Sequence, residues 1–350
     1  MDNTKNFSSR ASGKTPVDGR WTPERANLWY ASQPWLTGSN YVPADASNQI
    51  EMWQANTFNP AQIDKELGWA KTLGMNTMRV FLHDLVWQED PEGYRQRIET
   101  FLALADKHGI RTLFVLFDSV WNPEPHLGPQ EKPPAGVHNA GWVQGPGAAA
   151  IGDPAQRDRL RDYVEGVVGV FGKDKRVLGW DVWNEPDNMN GASYGAKEPT
   201  DKIEKVAKLL EEVFTWARAA QPEQPMTSGL WLGDWDDKGK LNAVQRVQLE
   251  QSDVISFHNY APPDDFERRV KYLQAEQRPL LCTEYMARPL GSTFETIMPV
   301  AKAYNVALMN WGFVQGRTQT HLPWDSWQKP YAEEPPVWRS EEHTSELQSR

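Results

Sequence analysis

Two glutamates carry the chemical argument. Glu185 ends the run VLGWDVWNE and Glu284 ends LLCTE, both short and nearly all apolar before the acid. Such runs, without alternation, suit strands buried on both faces of a parallel sheet. Pro186 stops the first run, because it cannot donate to a ladder and restricts the residue before it. Each carboxylate is thus delivered at the carboxyl end of a strand, where barrels of parallel strands do their chemistry. Two carboxylates facing across one mouth, without a His cluster of metal type, suit glycoside hydrolysis by an acid and a nucleophile. One must keep its proton to donate to the departing oxygen, and the other must be ionised to attack. Arg79 and a hydrogen bond from Tyr260 would hold Glu284 ionised, so Glu185, beside the neutral Asn184, is the better acid.

The elements that must position these residues repeat along the chain. A helix beginning at Asn59-Pro60 keeps Ile63, Leu67 and Ala70 on one face and stops at Gly74, and a strand over residues 76–82 follows. The same helix–strand unit recurs, giving expected strands near residues 40, 77, 112, 178, 226, 254, 280 and 307. Strict alternation of helices with buried-type strands points to a parallel sheet, and eight strands favour a closed (β/α)8 TIM barrel. No GxGxxG or P-loop pattern follows any strand, which weighs against an open nucleotide-binding sheet. Arg79, Asp118 with Trp121, Asn184 with Glu185, His258 with Tyr260, Glu284 and Trp311 then all fall at strand ends of the barrel mouth.

The division expected is a disordered segment over residues 1–20, a catalytic barrel over 21–338 and a non-native tail over 339–350. That tail, RSEEHTSELQSR, reads as a translated sequencing adapter, so the barrel is expected to lack its final helix and to expose apolar surface on its eighth and first strands. A Pro- and Gly-dense insertion over residues 119–154 is expected to wall off one end of the cleft.

A net charge of −10 without a basic cluster argues against nucleic acid and tolerates a neutral substrate. Seventeen Trp residues are an unusual number for one chain; many should be core or rim residues, but flat indole faces also suit sugar rings. Trp183 reads as core, while Trp87, Trp121, Trp142, Trp231, Trp235, Trp324 and Trp327 divide between rim packing and sugar platforms. The single cysteine, Cys282, lies within an apolar strand and reads as a core residue. His126, His138 and Asp118 lack ligand-like spacing and read as solvated loop residues, so neither metal nor cofactor is expected. No segment is apolar enough to span a membrane, a monomer is expected, and no signal peptide is visible in residues 1–20. The chain would then be cytoplasmic, or secreted or periplasmic had a signal been lost.

WNEP at 183–186, HNY at 258–260, TEY at 283–285, Arg79 inside MRVFL and Trp311 on the eighth strand occur in this order. Together they resemble the clan A retaining glycosidases, most nearly glycoside hydrolase family 5, the cellulase-like family. The resemblance implies Glu185 as acid/base, Glu284 as nucleophile, and Arg79, Asn184, His258, Tyr260 and Trp311 around the cleavage subsite. It also implies a β-linked glucan, mannan or xylan as substrate. Family members often carry a His at the end of the third strand, where this chain reads FDSVW; Asp118, Ser119 or Trp121 takes that space. The competing expectation is a barrel that binds carbohydrate without cleaving it.

Overall fold

A computed structural model describes residues 19–331 and 333 of the chain. The expectations for residues 1–18 and for the tail 339–350 lie outside that range. Eight parallel strands form: β1 (Thr37–Tyr41), β2 (Thr77–Phe81), β3 (Arg111–Val115), β4 (Val177–Asp181), β5 (Met226–Thr227), β6 (Ile255–His258), β7 (Leu280–Glu284) and β8 (Ala307–Asn310). Their order is β5-β4-β3-β2-β1-β8-β7-β6. A lone parallel bridge between Leu230 and Phe257 links the two outer ends, making a nearly closed TIM barrel. β5 is only two residues long and stops at Thr227. Its chain leaves β4 after the Asp181–Thr227 pair and meets β6 at Leu230.

The intervening helices follow from local sequence. Asn59 and Asp90 accept the backbone N–H of Gln62 and Gly93 and precede Pro60 and Pro91, whose missing N–H costs nothing in a first turn. Gly74 and Gly109 adopt φ of 79° and 73° just beyond the ends of those helices, a conformation that a side chain resists. Asn305, at φ 52°, ends the helix Phe294–Ala303 in the same way. The helix Pro23–Ala31 closes the amino-terminal end of the barrel, where Trp21, Ala26 and Tyr30 pack on Leu178, Val254 and Leu281. Arg20, read from sequence as part of a disordered segment, donates to the Ser252 carbonyl at 2.9 Å.

Two departures concern the barrel mouth. No α-helix follows β8 among the described residues, only a 3-10 turn at Trp324–Trp327. Yet β8 is buried throughout and β1 from its second residue on, so the expected apolar exposure does not arise there. Short helices at Gln49–Trp53 and Asp84–Glu89 were not expected; too few residues repeat in them to show a helical period.

A register shift positions the chemistry. Phe257 faces Cys282, but His258 faces Glu284, so Thr283 is an extra residue in β7. Bulges of this kind re-aim side chains beside active sites. Here it turns Glu284 into the mouth, next to His258.

Candidate active site

Arg79 is the centre of the site. It is fully buried on β2, and its guanidinium reaches Asp181 Oδ2 at 2.7 Å, Glu284 Oε1 at 2.9 Å, and the amide oxygens of Asn40 and Asn184 at 2.8 Å each. One planar fork on β2 thus fixes side chains from β1, β4 and β7 and from the loop just after β4. Asp181 was missed in the sequence. An acid inside a strand buried on both faces demands a cation, and that demand was the available signal. Replacing Arg79 with Met should destabilise the fold by about 3–5 kcal/mol, since Asp181 and Glu284 would remain buried without their cation. Urea unfolding of the variant measures this.

The two glutamates meet across His258. Its Nδ1 lies 2.9 Å from Glu185 Oε1 and 3.5 Å from Glu284 Oε2. One ring nitrogen and one oxygen from each carboxylate all fall within 4.8 Å of one another. Burial pushes His258 down to about 4, so the ring is neutral near pH 7. This trio has metal-like spacing, but the Arg79 guanidinium at 2.9 Å from Glu284 opposes a second cation there.

The environments of the acids differ. Glu284 accepts from Arg79 and, at 2.7 Å, from the Tyr260 hydroxyl. Burial raises it above the ordinary carboxylate range against the pull of His258, Arg79 and Tyr260. Among the described residues Glu185 has no cation in contact and receives only the Asn188 amide at 2.8 Å besides His258. Burial lifts it from 4.5 to about 7. Its backbone, at φ 43°, is left-handed, which costs a residue with a side chain on the order of 1–3 kcal/mol unless its surroundings hold it. Asn188 is held in turn: its carbonyl accepts from Lys202, whose buried ammonium pairs with Glu198.

A raised carboxylate is a stability statement with a definite sign. Well below pH 4.5 Glu185 is protonated whether folded or unfolded; between 4.5 and about 7 the unfolded chain ionises while the buried acid keeps its proton, so stability falls across that window and the full penalty persists above it. Glu185→Gln should therefore match the parent near pH 4 and exceed it by up to about 3 kcal/mol above pH 8. Urea midpoints at the two pH values test this.

The pocket above these groups is lined by Asn184, Glu185, Tyr260, Glu284 and Trp311, with Trp121, Trp231, Trp324, His138 and Asn188. It encloses about 300 Å³. Of the residues singled out in the sequence, Arg79 lies beneath this floor and His258 between the acids, whereas Asp118 stands back from the pocket. Asp118 accepts from the Trp142 indole at 2.6 Å and the Asn184 amide at 2.9 Å, so it positions Asn184. It is not a solvated loop residue, and neither is His138: both are 2% exposed. His138 is tied to the chain after β8, a long-range contact with no local signal. Trp87, Trp142, Trp183 and Trp235 are buried, and Cys282 is a core residue whose thiol burial pushes up.

The fold and this geometry agree with what the chain is similar to. A search of curated protein sequences finds no match. Among solved structures, the exo-β-1,4-mannosidase Op5Man5 of an Opitutaceae bacterium, strain TAV5, superposes with a TM-score of 0.54 at 19% identity, over 80% of this chain and 52% of its own. The chain thus spans about half the length of that enzyme. A hyperthermostable endo-1,4-β-D-mannanase from Thermotoga petrophila gives 0.53 at 12% identity, over 90% of this chain and 99% of its own. An endo-1,4-β-mannanase from Rhizomucor miehei gives 0.54 at 13%, over 79% and 89%. Residues 39–329 match the family model for cellulase, glycosyl hydrolase family 5, and the chain belongs to that family.

Proposed function

We propose that the protein hydrolyses β-linked glycosides with retention of configuration, through a covalent glycosyl-enzyme intermediate. Glu284 is the nucleophile and Glu185 the acid/base. The observation that carries this reading is their spacing: the carboxylate oxygens facing His258 lie within 4.8 Å. Inverting enzymes need about 6.5–9.5 Å between the carboxyl groups to admit a water, and retaining ones about 5–5.5 Å.

In the first step Glu284 attacks the anomeric carbon while Glu185 gives its proton to the departing oxygen. The two environments support that division, since guanidinium and phenol favour an ionised Glu284 and burial without a cation favours a protonated Glu185. In the second step Glu185, now ionised, takes a proton from water, and the water displaces Glu284. Asn184, oriented by Arg79 and Asp118, suits the 2-hydroxyl, whose hydrogen bonds strengthen in the transition state. Trp311 offers a flat floor to the reacting ring.

The substrate class is a β-1,4-linked glucan, mannan or xylan, or an oligosaccharide of one of these. Mannosides come first for trial, because the structural neighbours named above are called mannosidase and mannanases. Incubation with the three polymers and their oligosaccharides, followed for new reducing ends beside calorimetric binding, tests the activity. New reducing ends from one series support hydrolysis; heat of binding without them would support a carbohydrate-binding barrel instead.

A further inference from the structure

We infer that the cleft is a dead end on the glycone side, so that the enzyme removes single sugars from non-reducing chain ends. This rests on the glycosidase reading and names the substrate end that the same site accepts. Glu185 follows β4, and Trp231, after β5, is pinned to the same loop through its indole N–H on Asp187 at 2.7 Å. The leaving group protonated by Glu185 therefore departs over Trp231. The reacting ring lies on the other side, over Glu284 and Trp311.

Behind Trp311 the mouth is blocked. Residues 316–328 cross it as a strap from the β1 loop to the β4 loop, and Tyr331 then returns to the 119–154 insertion, donating its N–H to the Gly136 carbonyl at 2.8 Å. The strap begins against Ala44, whose carbonyl accepts from Arg317 N–H at 2.9 Å. It is next fastened to the 119–154 insertion: the Gln319 side chain accepts from Gly136 at 2.8 Å, and the Ser326 hydroxyl accepts from His138 at 2.9 Å. Trp327 stacks on Trp121 at 5.1 Å, and Gln328 reaches the Ala192 carbonyl at 3.1 Å. The space left between Trp311 and Thr318 and Thr320 of the strap is about 10 Å³. That holds about one water and no sugar. Trp324 of the strap stands edge-on to Tyr260, with ring centroids 4.9 Å apart, and lines the same pocket as Trp231, beyond which Leu232 is exposed. A chain can thus extend past Trp231 but not past Trp311, and an internal bond cannot reach the glutamates.

The test uses β-1,4-manno-, gluco- and xylo-hexasaccharides carrying a fluorescent tag at the reducing end, with the matching p-nitrophenyl β-monosaccharides and the matching dyed, cross-linked polysaccharides. The label should shift one sugar at a time, hexamer to pentamer to tetramer, with monosaccharide released, aryl monosaccharide cleaved and the dyed polymers left intact. Tagged di- or trisaccharide among the first products, or dye release, would overturn the dead-end cleft while leaving the glycosidase reading standing. No cleavage of any of these, aryl glycosides included, would overturn both.

Discussion

Glu284→Ala is expected to lower turnover by at least about 10⁴-fold, because removing a nucleophile abolishes the covalent route rather than weakening it. The Arg79 guanidinium and the Tyr260 hydroxyl, which now hold Glu284 from both oxygens, would then border a gap. Azide is small enough for such a gap and carries the charge that Arg79 is left to pair. Added azide should restore turnover, and the product should be a glycosyl azide of inverted configuration, since a single displacement replaces two. Product analysis by NMR reads the configuration directly. Activity undiminished in the variant, or no azide adduct, would count against Glu284 as the attacking group.

Glu185→Gln removes the proton donor and should cost about 10²–10⁴-fold on natural oligosaccharides. Aryl glycosides with acidic leaving groups need little protonation, so their first step should be nearly spared. The pH profile supplies an independent reading. Glu185 acts as acid only while protonated, so kcat/KM of the parent should fall as pH rises through about 7. The acid limb reflects ionisation of Glu284. Since the two carboxyls lie within 4.8 Å through a shared His258, both limbs report macroscopic values of the pair. In Glu185→Gln the alkaline limb should vanish. The same substitution should raise stability above pH 8, the trade expected where a buried acid is kept for catalysis against the preference of the fold.

The sequence foretold the parts of the molecule that rest on local physics. All eight strands, the cap at Asn59-Pro60 and the left-handed stop at Gly74 follow from period, turn chemistry and backbone sterics within a few residues. Glu185, Glu284, Arg79 and Tyr260 were legible because strand ends of one barrel must converge on a common mouth. What stayed hidden depends on contacts between distant segments. Asp118 looked like a loop residue until Trp142 and Asn184 enclosed it. His138 looked solvated until the strap from beyond β8 covered it. The β7 bulge that aims Glu284 at His258 leaves no mark in LLCTEY, since it is set by register against β6.

The central claim is that Glu284 forms a bond to sugar. A 2-deoxy-2-fluoro glycosyl fluoride of the cleaved sugar slows both steps, yet its good leaving group lets the first outrun the second, so the intermediate accumulates. Digestion and mass spectrometry should then find one added sugar, on the peptide containing Glu284, with loss of activity in step with labelling. Label on another carboxylate, or inactivation that leaves the Glu284 peptide unmodified, would contradict the mechanism.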